Sequence, residues 1–354
     1  MASISLANKY RPQVFEDVVS QEAIVSILRN QIATKDFKHV YLFEGPAGCG
    51  KTTIARIMAK QINNQENPDI IEIDGASNNG VDNIRYITDQ AKQKSLISPY
   101  RIFIIDECHQ LTNASQNALL KIFEDCPAYT IFILATTDPQ KILQTIISRA
   151  QVFKLTKVPT DKILSRLKYI CDTEKANITD LTYEDSALAY IASLANGGLR
   201  DALSKLDTCL SYNHNITNDN VVKALGVGDH YIFMDLLYSI NDMYTNENEE
   251  ERLKSKQCII NIWETVFNQG KDIKQFLDQF FKFTLDVAKY LLFNGSFLNT
   301  NLLNSERLRK DLSTYKLQNI QKILNILQNI KLNIKYDNNP LYLIESYMII
   351  GAQA

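Results

Sequence analysis

Residues 45–53 read "GPAGCGKTT", a match to G-x-x-x-x-G-K-[ST] set between the apolar run "VYLFE" at 40–44 and the helix-like "TIARIMAKQI" at 53–62. The motif needs a strand before it and a helix after it, and both flanks are present. Glycines in such a loop let backbone N–H groups turn toward phosphate oxygens, and the start of the following helix adds a positive dipole end. Lys51 is expected to neutralise the β- and γ-phosphates and Thr52 to ligate Mg²⁺. Gly45, Pro46, Ala47, Gly48, Cys49, Gly50, Lys51, Thr52 and Thr53 therefore make up the candidate nucleotide loop, with ATP and Mg²⁺ as the expected ligands.

Outward from the loop, four more apolar runs follow: "IIEID" (70–74), "RIFIID" (101–106), "TIFILATT" (130–137) and "VFKL" (152–155). Apolar runs of this length alternating with helical patterns predict a parallel sheet covered by helices. The third strand delivers Asp106 and Glu107 to its C-terminal edge, where a nucleotide sits in such sheets. Asp106 is expected to hold Mg²⁺ and Glu107 to polarise the attacking water. The following Cys108 and His109 spell a helicase-like "DECH". A helicase, however, needs a second α/β motor domain, and after Pro159 the strand signals stop. His109 is read as a polar residue at a strand-to-helix turn, and Cys49 and Cys108 as small fillers.

Three regions are expected: a nucleotide-binding domain at 1–159, a small helical domain at 160–226 and an all-helical domain at 227–354. The middle region offers "DKILSRLKYI", "YEDSALAYIASLA" and "LRDALSKLDTCL", with "NGG" between the last two. In the third, the acidic "NENEEER" reads as a solvated helix end, and a last helix is expected near Pro340, where proline suits the first turn.

Composition narrows the function. Thirty-eight basic and forty acidic residues leave a formal charge of -2, so nucleic acid cannot be held by a polybasic coat and any contact must be local. No run approaches a membrane span and the start lacks a signal-peptide pattern, which gives a cytoplasmic expectation. The six cysteines show no C-x-x-C pair, so neither zinc nor disulfides are expected.

Taken together, "LANKYRPQVFEDVVSQEAI" (6–24), the loop and its helix, "IEIDGASNNGVDNIR" (71–85), "IIDECHQLTNASQNALLKIFED" (104–125), "FILATTDPQKILQTIISRAQVFKL" (132–155) and "NGGLRDALSKLD" (196–207) resemble the gamma/tau ATPase subunits of the bacterial DNA polymerase III clamp loader. The resemblance weakens over the last 125 or so residues. It implies an α/β plus all-α chain of AAA+ type: a parallel five-stranded P-loop sheet, a helical lid and a helical collar. It further implies a pentamer with delta, delta-prime and further gamma/tau copies, a beta sliding clamp opened when ATP binds, and release of that clamp on primed DNA after hydrolysis. Polymerase activity would belong to the holoenzyme, since no second two-metal centre is visible.

The resemblance also implies residue roles. Tyr10, Arg11 and Pro12 match the adenine-packing segment. Thr137, or its neighbour Thr136, matches the sensor of the γ-phosphate, Arg200 the lid arginine that reaches that phosphate, and Arg149 the finger that acts on a neighbouring subunit's ATP. Two departures stand out. Ser148-Arg149-Ala150 replaces the usual Ser-Arg-Cys, and "QINNQENPDIIEID" is short and lacks the family's four-cysteine zinc module. The chain also stops where the collar should end, without the tau form's further domains. DNA phosphates are expected against a helix start at Ser77, Asn78 and Gly80, with Arg85 and Lys121 nearby. Two rivals are a scaffold subunit that has lost hydrolysis and another AAA+ motor such as a Holliday-junction translocase. Intact Lys51, Thr52, Asp106, Glu107 and Arg200 speak against the first. The absence of strand signals around "NIQKILNILQNIKLNI" speaks against the winged helix expected of the second.

Overall fold

The computed structural model describes residues 4–64, 68–226, 230–270, 272–293, 315–334 and 339–350. Five parallel strands form one sheet in the order β2-β3-β4-β1-β5. They are β1 (Val40–Glu44), β2 (Ile70–Asp74), β3 (Arg101–Asp106), β4 (Thr130–Thr136) and β5 (Gln151–Lys154). The pairing aligns Val40 with Phe132, Tyr41 with Gln151, Ile70 with Ile102 and Arg101 with Thr130.

Strand position explains burial. All seven residues of the central β4 are buried, whereas edge strands β2 and β5 bury only Ile73 and Phe153. The apolar runs at 70–74 and 152–155 are thus strands, but not fully buried ones, because an edge strand has a neighbour on one side only. β4 ends one residue early and β5 lies one residue earlier than expected.

Before β1 come α1 (Leu6–Lys9) and α2 (Glu22–Thr34), and between the strands run α3 (Lys51–Asn63), α4 (Val81–Ala91), α5 (Asn113–Glu124) and α6 (Gln144–Ile147). Because side chains alternate along a strand, the sheet has two apolar faces. On one, Tyr41, Phe43, Ile102, Ile104, Ile131 and Ile133 pack with Leu28 of α2 and with Ile54, Ile57 and Met58 of α3. On the other, Leu42, Phe103, Ile105, Phe132 and Leu134 pack with Ile84 and Ile87 of α4 and Leu119 and Ile122 of α5. The Arg101–Asp69 ion pair, 2.8 Å long with both side chains 14% exposed, pins the start of β3.

The helical part contains α7 (Thr160–Glu174), α8 (Asp185–Leu194), α9 (Leu199–Tyr212), α10 (Asn218–Leu225), α11 (His230–Thr245), α12 (Glu249–Asn268), α13 (Ile273–Phe293), α14 (Leu317–Asn333) and α15 (Pro340–Glu345), the last continuing as a π-helical turn over Ser346–Ile350. Two compact units emerge: Met1–Asp172 with Ala195–Asp207, and Thr173–Leu194 with Thr208–Ala354. The first unit thus takes part of the region expected as the middle domain. The expected boundary at 226/227 borders residues 227–229, which lie outside the described residues, as do 65–67 of the short connection between α3 and β2.

In the second unit, Trp263 donates its indole N–H to Met348 Sδ at 3.1 Å, and Phe233 meets Phe276, Phe280 and Phe283 at centroid distances of 5.1–5.8 Å. The acidic run opens α12: the Asn248 side chain accepts the Glu250 N–H, and Glu249, Glu250 and Glu251 sit in the first turn, where the dipole favours negative charge. Pro340 occupies the first turn of α15. Two two-residue strands, β6 (Thr182–Tyr183) and β7 (Asn215–Ile216), pair in parallel. They were absent from the sequence reading because two residues are too few to show a period. No described helix is long and apolar enough to cross a membrane.

Candidate nucleotide site

Strands β1, β3 and β4 end together, and the loop after β1 folds over their C-terminal ends. Gly45, Gly48 and Gly50 take φ values of +150°, +73° and +105°, a region open to glycine and strained for other residues. At Gly45 a Cβ would lie 2.5 Å from the Leu155 carbonyl oxygen, so this turn requires glycine by space as well. The loop then enters α3 at Lys51, with Gly50 leaving a cradle free of other atoms.

The side chains expected to handle phosphate converge here. Lys51 Nζ donates to the Gly45 and Pro46 carbonyls, each at 2.9 Å, which places a buried ammonium inside the loop. Thr52 Oγ1 donates to Asp106 Oδ2 at 2.7 Å. A hydroxyl and a carboxylate side by side form a hard oxygen pair, the donor type that suits Mg²⁺ when phosphate oxygens and water complete its shell. The loop and this pair fit ATP with Mg²⁺.

Glu107 follows Asp106 at φ +45°, unusual for a residue with a Cβ and held only where neighbours fix it. Gly75 lies below, where a Cβ would approach the Glu107 carbonyl oxygen to 2.8 Å. Thr137 Oγ1 donates to Glu107 Oε2 at 3.0 Å, and His109 Nδ1 lies 3.2 Å from the same oxygen. Thr136 Oγ1 in turn meets His109 Nδ1 at 3.2 Å.

A cavity of about 730 Å³ spans this floor. Tyr10, Arg11, Pro12, the loop from Pro46 to Thr53, Asp106, Glu107 and Arg200 all line it. Thr137 does not, but it reaches the wall through Glu107. The wall also includes Val18, Val19, Lys157, Asn196 and Leu199, none of which the sequence reading singled out. The signal for the last two is the "NGG" run, whose composition by itself marks only a separator between helices. In the structure it docks on the loop: Leu199 N–H donates to the Gly48 carbonyl at 3.1 Å, and Val158 N–H donates to the Gly197 carbonyl at 3.0 Å. Arg166 of α7 also reaches this end, donating to the Tyr10 carbonyl at 3.3 Å, while its Nε is buried without a hydrogen-bond partner.

The cysteines here are packed thiols. Burial raises the Cys49 pKa despite Lys51 nearby, and burial reinforced by the Asp106 and Glu107 carboxylates raises Cys108 well beyond the usual thiol range. Neither is poised as a thiolate nucleophile.

Other expected residues lie elsewhere. Arg149, just after α6, donates to the Thr145 carbonyl at 2.9 Å and pairs with Glu124 at 2.5 Å, outside the cavity wall. The residues proposed for DNA flank α4 and α5. Gly80 caps α4, but Ser77 Oγ and Asn78 Nδ2 are turned back onto Asp74, donating at 2.7 Å and 3.1 Å. The Ser77 hydroxyl and the Ala76 N–H hold the Asp74 carboxyl below its ordinary pKa. Arg85 pairs with Asp82 at 3.2 Å on an open surface, and Lys121 lies exposed on α5.

A family model described as "DNA polymerase III, delta subunit" matches residues 20–72 and 58–159, and one described as "DNA polymerase III clamp loader subunit, ATPase lid domain" matches 162–215. The tau subunit of DNA polymerase III from Bacillus subtilis is 34% identical over 98% of this chain and 62% of its own length. The chain belongs to the gamma/tau family of DNA polymerase III subunits. Within that family, the tau/gamma subunit of Haemophilus influenzae is 37% identical over 67% of this chain and 37% of its length, and the gamma subunit of Buchnera aphidicola 37% identical over 63% and 66%. The chain therefore spans from roughly a third to two thirds of these gamma/tau relatives. Among solved structures, the Thermotoga maritima RuvB Holliday junction branch migration motor matches with a TM-score of 0.50 at 20% identity, covering 66% of this chain and 80% of that one. That likeness concerns the fold, which is of the AAA+ type.

Proposed function

We propose that this gamma/tau family member is an ATP-hydrolysing motor subunit that acts with delta-type and further gamma/tau-type subunits to open a ring-shaped sliding clamp and load it on primed DNA. The observation that carries this reading is the convergence of Lys51, Thr52, Asp106, Glu107 and Arg200 on one cavity floored by a glycine loop. Mg²⁺ held at Thr52 and Asp106 would supply charge neutralisation between phosphates. Lys51 and the loop N–H groups bind the phosphates, and Glu107 accepts a proton from the attacking water. Tyr10, Arg11 and Pro12 pack the base, with Arg11 able to lie over an aromatic ring. Thr137 senses the terminal phosphate. Arg200 adds a fixed cation from the lid segment, and residues 160–226 act as that lid beside a 1–159 motor and a 227–354 collar. Arg149 serves the neighbouring subunit's site, where a planar cation meets charge that develops in the transition state. Gly80, Arg85 and Lys121, with Ser77 and Asn78 once released from Asp74, face the DNA backbone in the assembly.

The test is steady-state ATP hydrolysis by this chain mixed with clamp-loader partner subunits, clamp and primed DNA. Strong stimulation by clamp and primed DNA is expected. A rate indifferent to both would point to a different AAA+ machine, and nucleotide binding without turnover to a scaffold subunit.

A further inference from the structure

His109 is the second half of the feature at Glu107. Its side chain is only 8% exposed, against 38% for Glu107. Its two ring nitrogens face different groups: Nε2 lies 3.0 Å from Gln110 Nε2, and Nδ1 lies 3.2 Å from both Thr136 Oγ1 and Glu107 Oε2. An amide nitrogen can only donate, so with Gln110 in this orientation His109 Nε2 accepts and the ring hydrogen sits on Nδ1. That hydrogen faces the Thr136 hydroxyl and the Glu107 carboxylate, so the histidine ties the end of β4 to the group assigned as the base.

The same carboxylate oxygen receives the Thr137 hydroxyl at 3.0 Å. A hydroxyl has one hydrogen to give, so Thr137 cannot at once serve Glu107 and a phosphate oxygen. When Thr137 turns to the cavity, His109 is what remains beside Oε2. Without His109, Oε2 would lose both of these partners at the moment Glu107 must be aimed.

We propose that His109 is a positioning residue that keeps Glu107 oriented when Thr137 leaves it, an inference that rests on the ATPase reading above. It acts through Glu107 and is not part of the cavity wall. Removing it lowers the rate of the chemical step and leaves nucleotide binding alone. A positioned general base supplies roughly 10²- to 10⁴-fold in rate, and loss of its restraint should forfeit about tenfold to hundredfold of that.

The experiment is single-turnover hydrolysis of radiolabelled ATP in the assembly described above, with wild-type, His109→Leu, His109→Gln, His109→Asn and Glu107→Gln chains. Affinity is read in parallel with a fluorescent ATP analogue and Mg²⁺. Asparagine can place an N–H where Nδ1 carries one, whereas glutamine reproduces the Nε2 position. His109→Leu and His109→Gln should be slowed about tenfold to hundredfold with affinity within twofold, and His109→Asn should recover most of the rate. A wild-type rate in His109→Leu, a loss of affinity matching the loss of rate, or equal impairment of the asparagine and glutamine variants would each overturn the proposal. If His109→Leu fails to fold, the asparagine and glutamine pair decides alone. Glu107→Gln separates the two readings: if it hydrolyses like wild type, the base assignment itself is wrong, and if it is inactive while His109→Leu is not, only the positioning role falls.

Discussion

Two arginines named from sequence motifs end up in opposite situations. Arg200 stands at the wall of the nucleotide cavity, carried by a segment that hydrogen-bonds to the phosphate loop through Leu199 and Gly48. Arg149 lies on the surface beyond α6, 36% exposed and paired with Glu124, itself 52% exposed. One cation thus lines its own chain's cavity, and the other lies outside it, held by the Thr145 carbonyl and Glu124. Under the proposed function, Arg200 acts within its own chain and Arg149 on a neighbour's site, so only the first can be located from one copy.

The contrast predicts separable effects. Arg149→Ala should lower partner-stimulated turnover by about 10³-fold, the low end of what such fingers supply, while ATP affinity of the separate chain stays within twofold. Equal loss in the separate chain would place Arg149 in its own site. Arg200→Ala should do the reverse and weaken ATP binding by the separate chain about tenfold to hundredfold, as expected for one hydrogen bond to a charged group. Titration with a fluorescent ATP analogue reads this directly.

Smaller effects sharpen the same comparison. At Gly197, φ is +87° and a Cβ would come within 2.6 Å of Lys157 Cβ. Gly197→Ala should therefore destabilise the first unit by about 1–3 kcal/mol and loosen the Arg200 segment, seen as a lower Tm together with weaker nucleotide binding. A lower Tm with unchanged affinity would mean that the segment's docking does not hold Arg200. Last, Glu124→Ala removes an exposed ion pair worth less than about 1 kcal/mol. Thermal unfolding should barely change, and stimulated turnover should rise by at most a few-fold as Arg149 is released. A fall in turnover would show that Glu124 aims the arginine rather than parks it.

The five strands could be read from the chain, because β1, β3 and β4 are apolar enough to announce burial on both sides. What their runs could not reveal was rank: "IIEID" looks as buried as "VYLFE", yet β2 is an edge strand, since position in a sheet is set by pairing partners far along the chain. The phosphate loop was equally legible, for its chemistry is local: glycines, a lysine and a threonine act within nine residues. So was the Asp106–Glu107 pair at the end of an apolar strand.

Three features depended on distance. The "NGG" run has no local pattern that says it docks on Gly48, 150 residues earlier. Ser77 and Asn78 read as opening a helix, but the helix starts at Val81 and both side chains donate to Asp74. His109 read as a turn residue because nothing in "DECHQ" reports that Thr136, from the neighbouring strand, would sit against its ring. By itself the sequence determined which side chains carry charge and where the backbone must bend, since those are properties of single residues and short windows. Only the tertiary structure decided which charges meet, which donors are already taken and which arginine lines the cavity, because those are distances across the fold that no window of sequence contains.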